Sequence, residues 1–137
     1  MKPSLRPGLS HTNRLIVDRE RTTGHLGEEA RTYATPAMIR DIEHTCRDLI
    51  QEHADPGEDS VGMEIAVKHL APTLMGMTVT IDVQVKSVEG RKVSFDVKVK
   101  DDLDAVGSGS HTRFVVEKAR TFERVKAKAA RVAARKE

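Results

Sequence analysis

The second half of this chain alternates. In residues 63–70, Met63, Ile65, Val67 and His69 share one face; in residues 78–88, Val79, Ile81, Val83 and Val85 do; in residues 91–100, Val93, Phe95, Val97 and Val99 do. A period of two over successive segments predicts antiparallel strands with one covered face and one wet face. Glu89-Gly90 predicts a tight link between the second and third strands, and residues 101–104 predict the next turn. A last strand is expected over residues 105–117, through Gly107-Ser108-Gly109. Before this block, Leu15, Ile16 and Val17 mark a first strand within residues 11–23, and residues 24–34 read as a polar loop.

A single helix stands between the first strand and the rest. Thr35-Pro36 is a strong start, Thr as N-cap and Pro at the first helical position. The helix should run to about His53, ahead of the turn signal Asp55-Pro56-Gly57. One sheet face and one apolar helix to cover it predict an α+β fold, in which about five antiparallel strands wrap one long central helix. Residues 11–117 form this domain. Residues 1–10, with two prolines and a glycine, read as a flexible arm, and residues 118–137 as a basic tail able to form a helix. The sheet edge and apolar surface left over predict a homodimer through edge pairing.

Composition narrows the function classes. The chain has 137 residues, enough for one domain, and only 3% aromatics with no Trp, so its core must be aliphatic. Charged residues make up 32% but the net charge is only +2, which argues against a dedicated nucleic-acid binder. The single cysteine, Cys46, cannot form an internal disulfide. No signal-like segment and no bilayer-length apolar run occurs, so a cytoplasmic protein without a membrane partner is expected.

Polar residues at apolar positions mark the candidate site. At 100° per residue, Met38, Ile39, Ile42, Cys46, Leu49 and Ile50 fall within about 60° of Thr35. Arg40, Asp41, His44, Arg47, Asp48 and Gln51 make the opposite face, expected to be wet. Glu43 lies at the rim of the apolar arc, the only carboxylate on that side. There it reads as a solvated charge paired with Arg47, or as a base whose pKa is raised by apolar neighbours. His69 continues the inward face of its strand, as a core histidine or as a hydrogen-bond donor to a substrate or to Glu43. Thr35 is central on the arc, where capping alone would account for it. Gly62 reads as a turn or bulge, or as a place where backbone approaches a ligand and offers an N–H. Cys46, on the buried arc, reads as packing. The six histidines show no metal-ligand spacing, so no metal is expected, and no phosphate-loop or nucleophile-elbow motif is present.

An ordered set of short motifs carries a family likeness. Thr35 with Glu43 eight residues on, Ser60-Val61-Gly62, residues 67–72 (VKHLAP), residues 76–80 (GMTVT), residues 87–91 (SVEGR), and Val106-Gly107-Ser108-Gly109 with His111 and Arg113 together resemble the hot-dog thioesterases related to fluoroacetyl-CoA thioesterase. The resemblance runs from about residue 34 to 113. It implies the hot-dog fold, a long central helix wrapped by an antiparallel sheet in dimers, which agrees with the architecture above. It implies hydrolysis of an acyl-CoA thioester by Thr35, Glu43 and His69, with Gly62 offering its N–H near the carbonyl. Arg113 matches a family arginine, for substrate positioning or a structural ion pair. Coenzyme A enters as part of the substrate, with no separate cofactor; Arg91, Lys92, Lys118 and Arg120 are unassigned candidates for its phosphates.

Residues 25–30 (HLGEEA) lack the aromatics that gate the fluoroacetyl enzyme's pocket, so the resemblance speaks for the chemistry more than for a fluorinated substrate. The leading expectation is hydrolysis of a small or medium acyl-CoA. The alternatives are a non-catalytic acyl-CoA-binding hot-dog module and an interaction protein that docks a partner through its basic tail.

Overall fold

In the computed structural model, which describes residues 1–135, the chain runs β1 (Ser10–Ile16), β2 (Thr22–Thr23), β3 (Thr32–Tyr33), α1 (Thr35–Glu52), β4 (Glu58–His69), β5 (Thr78–Glu89), β6 (Lys92–Lys100), β7 (Ala105–Glu117) and α2 (Lys118–Ala134). Five strands form one antiparallel sheet in the order β1-β5-β6-β7-β4, and β2 pairs only with β3. β1 and β4 are therefore the two edges of the sheet.

The core is aliphatic, as the composition requires. Met38, Ile42, Cys46, Leu49 and Ile50 of α1 are buried against Val79, Ile81, Val83, Val93, Phe95, Val97 and Val99 of β5 and β6, with Val106 and Val115 of β7. Those of α1, β5 and β6 are residues selected by the two periodicities; Val106 and Val115 of β7 join them. Truncating Phe95 to Ala would cost about 3–5 kcal/mol.

Side-chain contacts show that α1 runs antiparallel to β4 along its whole length. Thr35 meets His69 at one end, and Glu43 lies beside Gly62. Farther along, the Arg47 guanidinium donates to Asp59, and Gln51 donates to the Glu58 carbonyl.

Four expectations change. Residues 1–10, read as a flexible arm, lie against the body: Leu5 is buried, the Lys2 N–H donates to the His53 carbonyl, and the Gly8 N–H donates to that of Val85. Thr35 is not the N-cap. Ala34 takes that place with extended backbone, its N–H donating to the Arg21 carbonyl while its own carbonyl accepts from the Met38 N–H. This leaves the Thr35 hydroxyl free for another partner. Asp41, assigned to the wet face, is 2% exposed, because Tyr33 and Arg21 fold over it. Finally, the inward face of β4 is interrupted. The pairing with β7 shifts register between Gly62 and Glu64, so Met63 bulges out and is 57% exposed, while Ile65 and Val67 still pack on the core.

The basic tail forms α2, which has no buried residue; the last two residues assigned to it lie outside the described ones. Among the described residues, no helix is long and apolar enough to cross a membrane.

Candidate active site

The five candidate residues fall into two groups. The first lies at the end of β4 and the start of α1. There a cavity of about 630 Å³ is lined by Thr23, His25, Tyr33, Thr35, His69 and Leu70, among others. Thr35 Oγ1 is 2.7 Å from His69 Nδ1. The pair forms because β4 delivers His69 to the point where the unused Thr35 hydroxyl emerges from the first turn of α1. Tyr33 meets His69 edge-on, with ring centroids 6.3 Å apart and an interplanar angle of 81°.

Burial holds the His69 imidazole below its ordinary pKa, so it is neutral at pH 7. Its Nε2 is enclosed and has no hydrogen-bond partner among the described residues. Where the Thr35 hydroxyl donates to Nδ1, Nε2 carries the hydrogen and is an unused donor.

The second group lies around Glu43 and Gly62. Glu43 Oε2 is 3.8 Å from Arg113 Nη1. Arg113 is 5% exposed and held in place: Nε donates to Ser60 Oγ and Nη2 to the Ser60 carbonyl, both at 2.8 Å. Its Nη1 lies 3.3 Å from His111 Nε2. His111 Nδ1 is 2.8 Å from the Glu64 carbonyl, which fixes the tautomer: Nδ1–H donates to that carbonyl and Nε2 accepts from Arg113. Burial keeps His111 below its ordinary pKa, and burial also lowers that of Arg113. A guanidinium this buried, with its donors directed at Ser60 and one side turned to Glu43, orients the carboxylate and concentrates positive charge beside it.

One protomer does not bring the two groups together. Gly62 and His69 are seven residues apart on one strand, about 23 Å. Thr35 and Glu43 are eight residues apart on one helix, about 12 Å along its axis. Thr35 and His69 line the cavity; Glu43, Gly62 and Arg113 do not.

The sequence left Ser60, His111, Tyr33 and Asp41 without roles. Ser60 and His111 stood in the motifs that carry the family likeness, without a role; Tyr33 and Asp41 stood in none. Arg91, considered for the coenzyme phosphates, is already engaged with Glu58 at 3.1 Å. Burial pushes the Cys46 thiol up, consistent with packing.

The long helix wrapped by a five-stranded antiparallel sheet is the hot-dog architecture, and similarity to known thioesterases makes the chain a thioester hydrolase of that fold. Residues 17–119 match the family described as fluoroacetyl-CoA-specific thioesterase. The chain is 36% identical over 123 residues to the fluoroacetyl-CoA thioesterase of Streptantibioticus cattleyicolor, covering 85% of this chain and 88% of that one. A crystal structure of a mutant fluoroacetyl-CoA-specific thioesterase in complex with fluoroacetate and CoA matches with a TM-score of 0.79 at 34% identity, over 85% of this chain and 99% of that one. A Thermus thermophilus protein described as a thioesterase superfamily member matches with a TM-score of 0.89 at 27% identity, over 98% and 99% of the two chains. The chain belongs to the fluoroacetyl-CoA-specific thioesterase family.

Proposed function

We infer that the protein hydrolyses a small or medium acyl-CoA thioester as a homodimer, with each active site assembled from both subunits. The separation of the two residue groups along β4 carries this reading. β4 is an edge strand with exposed Val61 and Met63. Pairing it antiparallel with its own copy, about a two-fold axis near Ile65 and Ala66, sets Gly62 of one protomer opposite the partner subunit's His69. An isologous interface repeats the contact in reverse, giving two sites. Each site then combines Thr35 and His69 of one protomer with the partner subunit's Glu43, Gly62 and Arg113.

The chemistry follows from these groups. Glu43 draws a proton from a water that attacks the thioester carbonyl, or attacks that carbonyl itself to give a mixed anhydride that a water then hydrolyses. The new C–O bond leaves negative charge on the carbonyl oxygen, and His69 Nε2–H and the Gly62 N–H are the donors to stabilise it. One such donor is worth about 3 kcal/mol. The C–S bond then breaks, and the departing thiolate of coenzyme A takes up a proton. The coenzyme is part of the substrate, and no further cofactor enters the scheme. The lone buried Cys46 fits a reducing, cytoplasmic compartment.

Release of free thiol from acyl-CoAs of increasing length, acetyl to long-chain, tests the activity, with Glu43→Ala beside the wild type. Turnover that vanishes in the variant supports the reading; tight binding without product over hours would favour a binding module instead. Mixing tests the shared site. Glu43→Ala and His69→Ala should each be inactive, yet an equimolar mixture allowed to exchange subunits should regain about a quarter of wild-type activity, since half the dimers then hold one intact site. No recovery, with exchange demonstrated, would place all the residues in one chain.

A further inference from the structure

We propose that Asp41 is a positioning residue for the Thr35–His69 pair, acting through Tyr33. The proposal rests on the thioesterase reading above and extends it to a residue outside the reacting groups.

Asp41 sits on α1 with 2% exposure. A carboxylate so buried costs several kcal/mol unless its lone pairs are satisfied. Here they are satisfied from two directions. The Tyr33 hydroxyl donates to Oδ2 at 2.6 Å. Arg21 donates through Nε to Oδ2 at 3.0 Å and through Nη2 to Oδ1 at 3.3 Å. Burial, then the bond to Asp41, push the Tyr33 phenol up, so it stays protonated and remains a donor. Arg21 is in turn held by Asp18 at 2.8 Å.

The consequence lies at the other face of Tyr33. Its ring packs edge-on against His69, and its backbone N–H is bound to the Thr73 carbonyl, just beyond the segment that carries His69. Two residues later comes Thr35. Tyr33 is thus fixed at its hydroxyl by Asp41 and forms the wall against which the imidazole rests. That wall keeps Nδ1 directed at Thr35 and covers one side of the ring. No charged group shifts His69; its displacement comes from burial alone. Fold stability alone does not account for the arrangement, because a well-packed apolar trio in place of a buried ionic one is often neutral or stabilising.

The test uses Asp41→Asn and Tyr33→Phe in the full-length protein. Two quantities are read: kcat and KM on an acyl-CoA that the wild type turns over, and the titration midpoint of His69 by NMR on histidine-labelled protein. Both variants should lower kcat by about tenfold with KM little changed, since a small misplacement of a catalytic group acts on the chemical step. Both should also raise the His69 midpoint towards its ordinary value as water reaches the ring. Wild-type kcat together with an unmoved His69 midpoint in both variants would overturn the proposal. Should Asp41→Asn fail to fold, Tyr33→Phe, which retains the Arg21–Asp41 pair, decides alone. The NMR readout needs no turnover, so an inactive wild type would sink the thioesterase reading while the titration still decides the Asp41–Tyr33–His69 link.

Discussion

A side chain at position 62 would collide with the carboxylate of Glu43: a Cβ on Gly62 would lie 2.6 Å from Glu43 Oε2. A side chain there would push the flexible end of Glu43 aside, so the glycine leaves the carboxylate its place beside β4. Gly62→Ala should displace the carboxylate and lower kcat by about a hundredfold, with little change in melting temperature. Steady-state kinetics and a thermal melt on the same sample check this. Unchanged kcat would mean that Glu43 has another place to go.

Glu43 itself should tolerate no neutral replacement. Glu43→Gln keeps the shape and loses the charge, and kcat should fall by about 10² to 10⁴. The fold should persist, because the side chain is partly exposed and stands 3.8 Å from Arg113. Circular dichroism beside a thiol-release assay separates the two effects.

Arg113 should resist exchange for lysine. Its two bonds to Ser60 use the planar fork of the guanidinium, which an ammonium cannot reproduce. Arg113→Lys should cost about 1–3 kcal/mol of stability by denaturant unfolding, since buried acceptors lose their donors, and should lower kcat as well. A variant as stable and as active as the wild type would reduce Arg113 to a generic cation.

Stability should fall on the acid side. His69 and His111 are both held below the ordinary histidine value of 6.5, chiefly by burial. The unfolded chain therefore takes up protons first as pH drops, and the folded state loses ground from about pH 6.5 downwards until the folded-state values are passed. Thermal melts across pH 5 to 8 should show a plateau above 6.5 and a decline below it. The acid limb of kcat/KM should likewise lie below 6.5, because neutral His69 persists to lower pH. A melting temperature that rose on acidification through this range would contradict the burial of both rings.

The architecture was legible because two periods were clean. Val79 to Val85 and Val93 to Val99 alternate without exception, and Met38 to Ile50 keep to one arc, so strands, helix and core could be written down in advance. The pairwise geometry of the site was not legible. Alternation tells which face a residue occupies, not how far along the strand it stands. Thr35, Glu43 and His69 could therefore be assigned to one side without any sign that the first and last meet while the second lies turns away. Asp41 was misplaced for a related reason: a helical wheel assumes that polar means wet, and Arg21, from the turn before β2, and Tyr33, from the strand just before α1, make an exception. The freedom of the Thr35 hydroxyl likewise depended on where Ala34 put the start of the helix.

The antiparallel run of α1 along β4 has a further consequence for how such a chain can change over time. The contacts Thr35–His69, Glu43–Gly62, Arg47–Asp59 and Gln51–Glu58 work like matched marks on two rulers with different divisions. One residue inserted within α1 would rotate everything after it by about 100°, and one inserted within β4 would turn each later side chain to the opposite face. Single substitutions disturb one mark; a change of length disturbs all of them beyond the insertion. Divergence in this chain should therefore collect as insertions and deletions in the turns outside these two elements, while the number of residues from 35 to 51 and from 58 to 69 stays fixed.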